Sequence, residues 1–215
     1  MWFLVVEGVR VRVVRYGERA VYDWDELISL LSRNFVCHVG FVDGGRPYVI
    51  PMLYVSDGQY VYMHGSPESR LIRILGSGEL VVIVVTEVHG VVLSSRLCGN
   101  SLNYESAVMY GRGSFIQDRE EKLRVFRMMI DRLVPGRFSD TELPTTEELD
   151  SVAVVRVKIE DFAIKRRVGG PTDTGYSHWE GIIPIIQVYG DPITTNGKQV
   201  PQYVIDLVSR RKDLQ

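Results

Sequence analysis

Apolar and polar residues alternate in short runs along most of this chain, and Gly, Asp, Asn and Pro divide the runs. A period of two, rich in Val, Ile and Tyr, predicts strands joined by turns. Residues 3–15 alternate, with Val9, Val11 and Val13 set against Arg10, Arg12 and Arg15, and predict an N-terminal hairpin around Glu7-Gly8. Asp23 stands at an N-cap position, and Leu27, Ile28, Leu30 and Leu31 follow at helical spacing, so a short helix should end near Asn34. Residues 35–42, the turn Asp43-Gly44-Gly45 and residues 47–55 predict a hairpin, because Asp-Gly and Gly-Gly supply the positive φ that tight turns need. Ser56-Asp57-Gly58 then feeds a strand over 59–64.

Further on, Pro67 at a first helical position predicts a helix through Leu75. Strands are expected over 80–86 and 106–115. Asp118 should cap a helix to Arg132 whose apolar face is Leu123, Phe126, Met129, Ile130 and Leu133, stopped by Pro135-Gly136. Residues 144–148 read as a polar segment, 152–159 and 182–188 as strands, and 201 to about 211 as a C-terminal amphipathic helix. Six or seven short strands with loops too short for parallel crossovers imply a mainly β fold, a small closed or partly closed antiparallel barrel with flanking short helices.

Length and composition narrow the classes. At 215 residues, 45% hydrophobic and 24% charged, the chain suits one globular domain over 1–215. The hairpin region (1–20) and a C-terminal extension (165–215) are its attachments. A net charge of −2 offers no field for nucleic acid. No run approaches the roughly 20 apolar residues of a membrane span, and Glu7, Arg10 and Arg12 interrupt the apolar start. A cytoplasmic location is expected, with neither nucleic acid nor membrane as partner. Cys37 and Cys98 fit neither a disulfide framework nor a metal-ligand spacing, and no metal is expected.

The stretch YVIPMLYVSDGQYVYMHGSPESR, residues 48–70, carries the clearest chemistry. A strand ending in His64-Gly65 opens a helix carrying Ser66, Ser69 and Arg70. Unpaired N–H groups, hydroxyls and a guanidinium at such a start can cradle a phosphate, although an ordinary cap has the same residues. His64 could exchange a proton near neutral pH, or simply be bonded to a backbone carbonyl at a strand end.

With the strand ESAVMYGRG, the helix starts ESRLIRIL and DREEKL, and the C-terminal RRVGGPTD and HWEGIIP, this stretch resembles the pyridoxamine-phosphate-oxidase-like FMN-binding split-barrel family, in its nitroimidazole-reductase-like branch. The resemblance covers about 37–184. It implies a six-stranded antiparallel split β-barrel of Greek-key type, a homodimer, and FMN in grooves between subunits. It further implies that Ile50, Pro51 and Met52 run along the flavin ring and that Met63, His64 and Gly65 line the same groove. Ser66, Ser69 and Arg70 would hold the phosphate, Ser106 and Val108 would come up beside the flavin, and Trp179 would cover it from the partner subunit. The implied activity is flavin-dependent reduction of a small molecule with electrons from NAD(P)H. The alternative is a flavin- or haem-binding protein without turnover. The family's Gly-Arg-Lys triplet is Ser69-Arg70-Leu71 here, one cation short, and no paired-arginine site for pyridoxal phosphate is present.

Overall fold

Gly44 and Gly45, at φ 56° and 78°, form a two-residue turn that lets β2 (Val36–Asp43) and β3 (Arg46–Leu53) pair in register from Asp43↔Arg46 to Val36↔Leu53. The structure, a computed structural model, describes residues 11–172 and 177–209. Ahead of the hairpin lie β1 (Ala20–Val21) and α1 (Trp24–Arg33), whose cap Asp23 accepts the Glu26 N–H at 3.0 Å. After it come β4 (Val55–Ser56), β5 (Tyr60–Gly65), α2 (Arg70–Gly76), β6 (Leu80–Leu93) and β7 (Ser101–Ile116). The chain continues through α3 (Arg119–Leu133), α4 (Thr146–Ser151), β8 (Ala153–Arg167), β9 (Gly181–Pro184) and α5 (Gln202–Ser209).

The nine strands make one antiparallel sheet in the order β3-β2-β6-β7-β8-β5-β4, with β1 added to β8 and β9 to β6. Its long members β2, β3, β5, β6, β7 and β8 are the six strands of the expected split barrel; the other three are short additions. The two ends of the path, β3 and β4, are separated by Tyr54 alone. Leu53 and Val55 therefore lie within roughly 7 Å of each other, so the sheet curls round on itself without a strand pair closing it. That opening is the split.

Alternation decides what fills the barrel. Cys37, Val39, Ile83, Val85, Ala107 and Met109 point inward and are enclosed with Leu27, Leu30 and Leu31 of α1 and Leu71, Ile72 and Leu75 of α2. A second cluster lies outside, where Val125 and Met129 of α3 cover Tyr62 and Val154.

Several expectations shift. Helix α2 begins at Arg70 and not at Pro67, because the Ser69 N–H turns back to the Ser66 carbonyl at 3.0 Å and residues 66–69 form a turn. The buried face of α3 is Lys122, Val125 and Met129, a rotation from the predicted stripe. Lys122 tolerates burial because its ammonium donates to the Leu149 and Val152 carbonyls, both at 2.8 Å. Residues 146–151, read as merely polar, form a helix with a full capping box between Thr145 and Glu148. Strands β6, β7 and β8 outrun their predicted lengths, and β9 stops at Pro184, whose ring nitrogen has no proton to give. Of the expected N-terminal hairpin, residues 1–10 lie outside the described residues and 11–14 are not strand.

Candidate functional site

The residues singled out from the sequence fall on three parts of the barrel. The first is the lip of the split. Beyond the β4 pairing, residues 63–65 bond only to β8, and β3 bonds only to β2. Both edges thus keep unpaired backbone groups, among the described residues. Ile50 and Met52 turn their side chains to the core, Met63 is wholly enclosed, and Pro51 faces outward. Arg70 ties this lip to the first hairpin, with Nε 3.2 Å from Asp43 Oδ2 and its guanidinium 4.8 Å from the Tyr48 ring centre. Arg46 lies over the same ring. Ser66 and Ser69 form the turn before α2, and Ser69 makes no side-chain cap bond there.

His64 is turned away from the barrel interior. Its Nδ1 meets the Met129 sulfur at 3.3 Å and its ring stands edge-on to Phe126. Burial there holds the imidazole below its ordinary pKa, so it is neutral at pH 7. Among the described residues, no backbone carbonyl and no second titratable group is bonded to it.

The second part is a row on the outer face. The registers align Pro51 with His38, His38 with Val84 and Val84 with Val108 across four strands. One step along, Thr86 pairs with Ser106, hydroxyl to hydroxyl at 3.2 Å. Pro51, Ser106 and Val108 are therefore brought to one face. The row adds His38, which the sequence signalled through its neighbour: Cys37 is core, its thiol pushed up to about 12 by burial, so the next residue must face out. At the end of the row opens a cleft of ≈ 450 Å³ lined by Phe35, Val36, His38, Val88, His89 and Ile185, with others.

His89 was missed because it sits where the β6 ladder slips register, between Val88 and Gly90. Its Nε2 lies 3.4 Å from Glu105, a buried carboxylate. Glu87 and Glu105 are directly opposed on neighbouring strands, an arrangement that repels. Arg33 resolves it by bridging both, at 2.9 Å and 2.5 Å, while Arg166 holds Glu105 from the other side and Glu26 at 2.5 Å. Glu87, His89 and Glu105 also bring ligand atoms within 4.8 Å of one another. The Arg33 guanidinium already supplies the positive charge that those carboxylates call for.

The third part is Trp179. Ser95 grips its neighbours: the Ser95 hydroxyl donates to the Glu180 carboxylate at 2.6 Å and lies 3.2 Å from the His178 carbonyl. The ring lies over Gly181 and stays 67% exposed.

The family model described as pyridoxamine 5'-phosphate oxidase matches residues 23–166, from the cap of α1 to nearly the end of β8. The chain belongs to this family. Within reach of the pyridoxamine 5'-phosphate oxidase fold, it is similar to the FAD and haem binding protein of Mycobacterium smegmatis, at 26% identity and a TM-score of 0.83 over 88% of this chain and 97% of that one. It is similar also to the flavocytochrome Anf3 of Azotobacter vinelandii, at 27% identity and 0.80 over 91% and 94%. A Bacteroides thetaiotaomicron protein assigned to 5-nitroimidazole antibiotic resistance aligns at 26% and 0.58 over 68% and 85%. No curated protein matches the chain. Among the described residues no helix is long and apolar enough to cross a membrane.

Proposed function

We propose that this member of the pyridoxamine 5'-phosphate oxidase family binds a flavin against its split and outer row, as a homodimer, and works as a flavin-dependent oxidoreductase on a small molecule. The observation that carries the reading is the extent of likeness. The two flavin-holding relatives cover 88% and 91% of the chain, which takes in the segment beyond residue 166 as well as the barrel. The residues present suit the group. Free backbone N–H and C=O groups along β3 and β5 offer partners for the polar edge of a flavin ring, and Arg70 and Arg46 offer cations for its phosphate. Pro51, Ser106, Val108 and an exposed Trp179 present apolar surface and hydroxyls to its face. A bound flavin supplies two-electron and one-electron transfer; the chain's part is to hold it, shield it and orient the electron donor and acceptor. FMN and NAD(P)H are the forms and donor we assign.

A second reading, a flavin protein that also handles haem, is favoured by the cleft that ends the row. His38 and His89 both line it, with Phe35, Val36, Val88 and Ile185 on its apolar side and Asn34, Thr86, Glu87 and Gln187 on its polar side, and Glu105 stands behind His89, the arrangement that fixes an imidazole for ligation.

Purified protein distinguishes the readings. The first predicts flavin absorption without a Soret band and anaerobic bleaching by NADH or NADPH. Flavin colour that neither donor bleaches removes the oxidoreductase assignment, and a colourless protein that takes up no added FMN or FAD removes flavin binding. A Soret band on adding haemin, lost in His89→Ala, establishes the second.

A further inference from the structure

A cleft of ≈ 280 Å³ between the Gly17–Arg19 turn and the end of β8 is used by neither reading above. Arg19, Arg166, Arg167, Gly170 and Thr172 are among its lining residues, and Glu18 is the acid there. Its cations are not equally neutralised. Arg166 is held between Glu26 and Glu105. Arg19 has Glu18 only at 3.6 Å and rests over the Tyr16 ring at 4.2 Å.

Arg167 is the unusual one. It is 6% exposed, and its guanidinium donates to Asn103 Oδ1 at 2.6 Å and to the carbonyls of Gly169 and Gly170 at 3.3 Å and 3.1 Å. All three acceptors are neutral, and among the described residues no carboxylate pairs with it. A guanidinium keeps its charge in a folded protein, and enclosing that charge without a counter-charge is costly. Lys165, on the same face of β8, adds a further cation, whose ammonium donates to the Arg15 carbonyl at 3.0 Å and lies 5.6 Å from the Tyr16 ring centre. The fold has therefore gathered several cations round a small cavity and left its buried one, Arg167, without a carboxylate partner among the described residues.

We propose that this cleft binds a phosphate or pyrophosphate group, with Arg167 as its buried cation and Arg19 and the Thr172 hydroxyl at its rim. Such a group has two sources: the dinucleotide arm of a bound flavin, or a separate phosphorylated small molecule. The registers Tyr104↔Arg167 and Ser106↔Lys165 place the cleft two residues along β7 from Ser106, roughly 7 Å, so either source is within reach of the flavin face. The first source rests on the flavin reading with FAD in place of FMN as the bound form; the second does not rest on it.

The test titrates the full chain with inorganic pyrophosphate by calorimetry, and separately with riboflavin, FMN and FAD. Because Arg167→Gln alters a buried group, the rim variants Arg19→Gln and Thr172→Val carry the test alongside it. Arg19→Gln should weaken pyrophosphate about tenfold or more, the loss expected for a charge-assisted contact, and Thr172→Val less. If Arg19→Gln also weakens FAD while leaving FMN and riboflavin unchanged, the dinucleotide arm is the source. If pyrophosphate still binds the flavin-loaded protein and all three flavins keep their affinities in the variant, the source is a separate anion. Pyrophosphate affinity equal in the wild type and in Arg19→Gln, with no change in FAD affinity, overturns the proposal. Failure to bind any flavin leaves the pyrophosphate titration readable, so it bears on the previous reading alone.

Discussion

Arg70 shows why a side chain's partners matter more than its type. The sequence offers it as a phosphate cation, and the structure gives that cation an existing partner in Asp43 and a ring to rest on in Tyr48. A flavin phosphate would have to share it. Arg70→Ala should therefore weaken FMN by about ten- to a hundredfold, on the order of 1.5–3 kcal/mol, and leave riboflavin unchanged; Asp43→Asn should do the reverse and tighten FMN. Equal FMN dissociation constants in wild type and Arg70→Ala would remove the cradle. His64 carries a pH signature instead. Its folded pKa is depressed by burial, so in acid the unfolded chain takes up a proton before the native one does. Its contribution is intact above about pH 6.5 and is lost as pH falls from there to the folded value. Chemical denaturation at pH 7.5 and pH 5.5 should show a smaller difference in His64→Leu than in the wild type; identical differences would place the titration elsewhere.

At the scale of elements, most helices and strands were legible because cap residues and alternation are local signals. Asp23 and Asp118 each accept the N–H three residues on, as their positions imply. What escaped was set by distant partners. The strand readings stopped at Thr86 and began again at Ser106 because Glu87 and Glu105 look like strand ends, and only Arg33 and Arg166, far away in sequence, make them tolerable inside a ladder. Similarly, Lys122 reads as solvent-facing until two carbonyls from α4 and its C-terminal end are placed over it. Of the candidate residues, Pro51, Ser106 and Val108 share one face with His38, whose outward side follows from alternation with the core residue Cys37, whereas the meeting of Glu87, His89 and Glu105 needed register, which no single run of sequence encodes. The seating of α2 on the sheet depends on backbone contact at Gly113, where a Cβ would lie 2.1 Å from the Leu75 carbonyl oxygen. Gly113→Ala should cost on the order of 3 kcal/mol. Gly190→Ala, with nothing within 4 Å, serves as the neutral control in the same denaturation series.

For the whole molecule, the proposed homodimer would cover apolar surface. Trp179, Ile182, Ile183, Ile185 and Ile186 are all at least two-fifths exposed, within eight residues of one another. A patch of that kind is uncommon on a monomer's surface. Light scattering at micromolar concentration should return about twice 24.4 kDa; a monomer mass would sink the dimer. Mixing Trp179→Ala with Arg70→Ala chains then tests the assignment across subunits. If Trp179 covers the partner's flavin, each heterodimer has one groove with both lesions and one with neither, hence one tightly quenched flavin. Two equally weakened sites would put the contact within a subunit.

The single residue that joins the two ends of the sheet has a further meaning for motion. Tyr54 is 1% exposed, its hydroxyl is fixed to the Leu31 carbonyl at 2.9 Å, and its N–H to the Phe35 carbonyl at 3.1 Å. The width of the split is thus governed by a pivot that cannot turn without breaking into the core. A groove built this way behaves as a fixed slot and not as a jaw, and ligands must enter it along its length. Amide exchange at Tyr54 should accordingly proceed only through global unfolding, with a protection free energy matching that of the central strands; exchange at the rate of the surface loops would show that the barrel breathes at its seam.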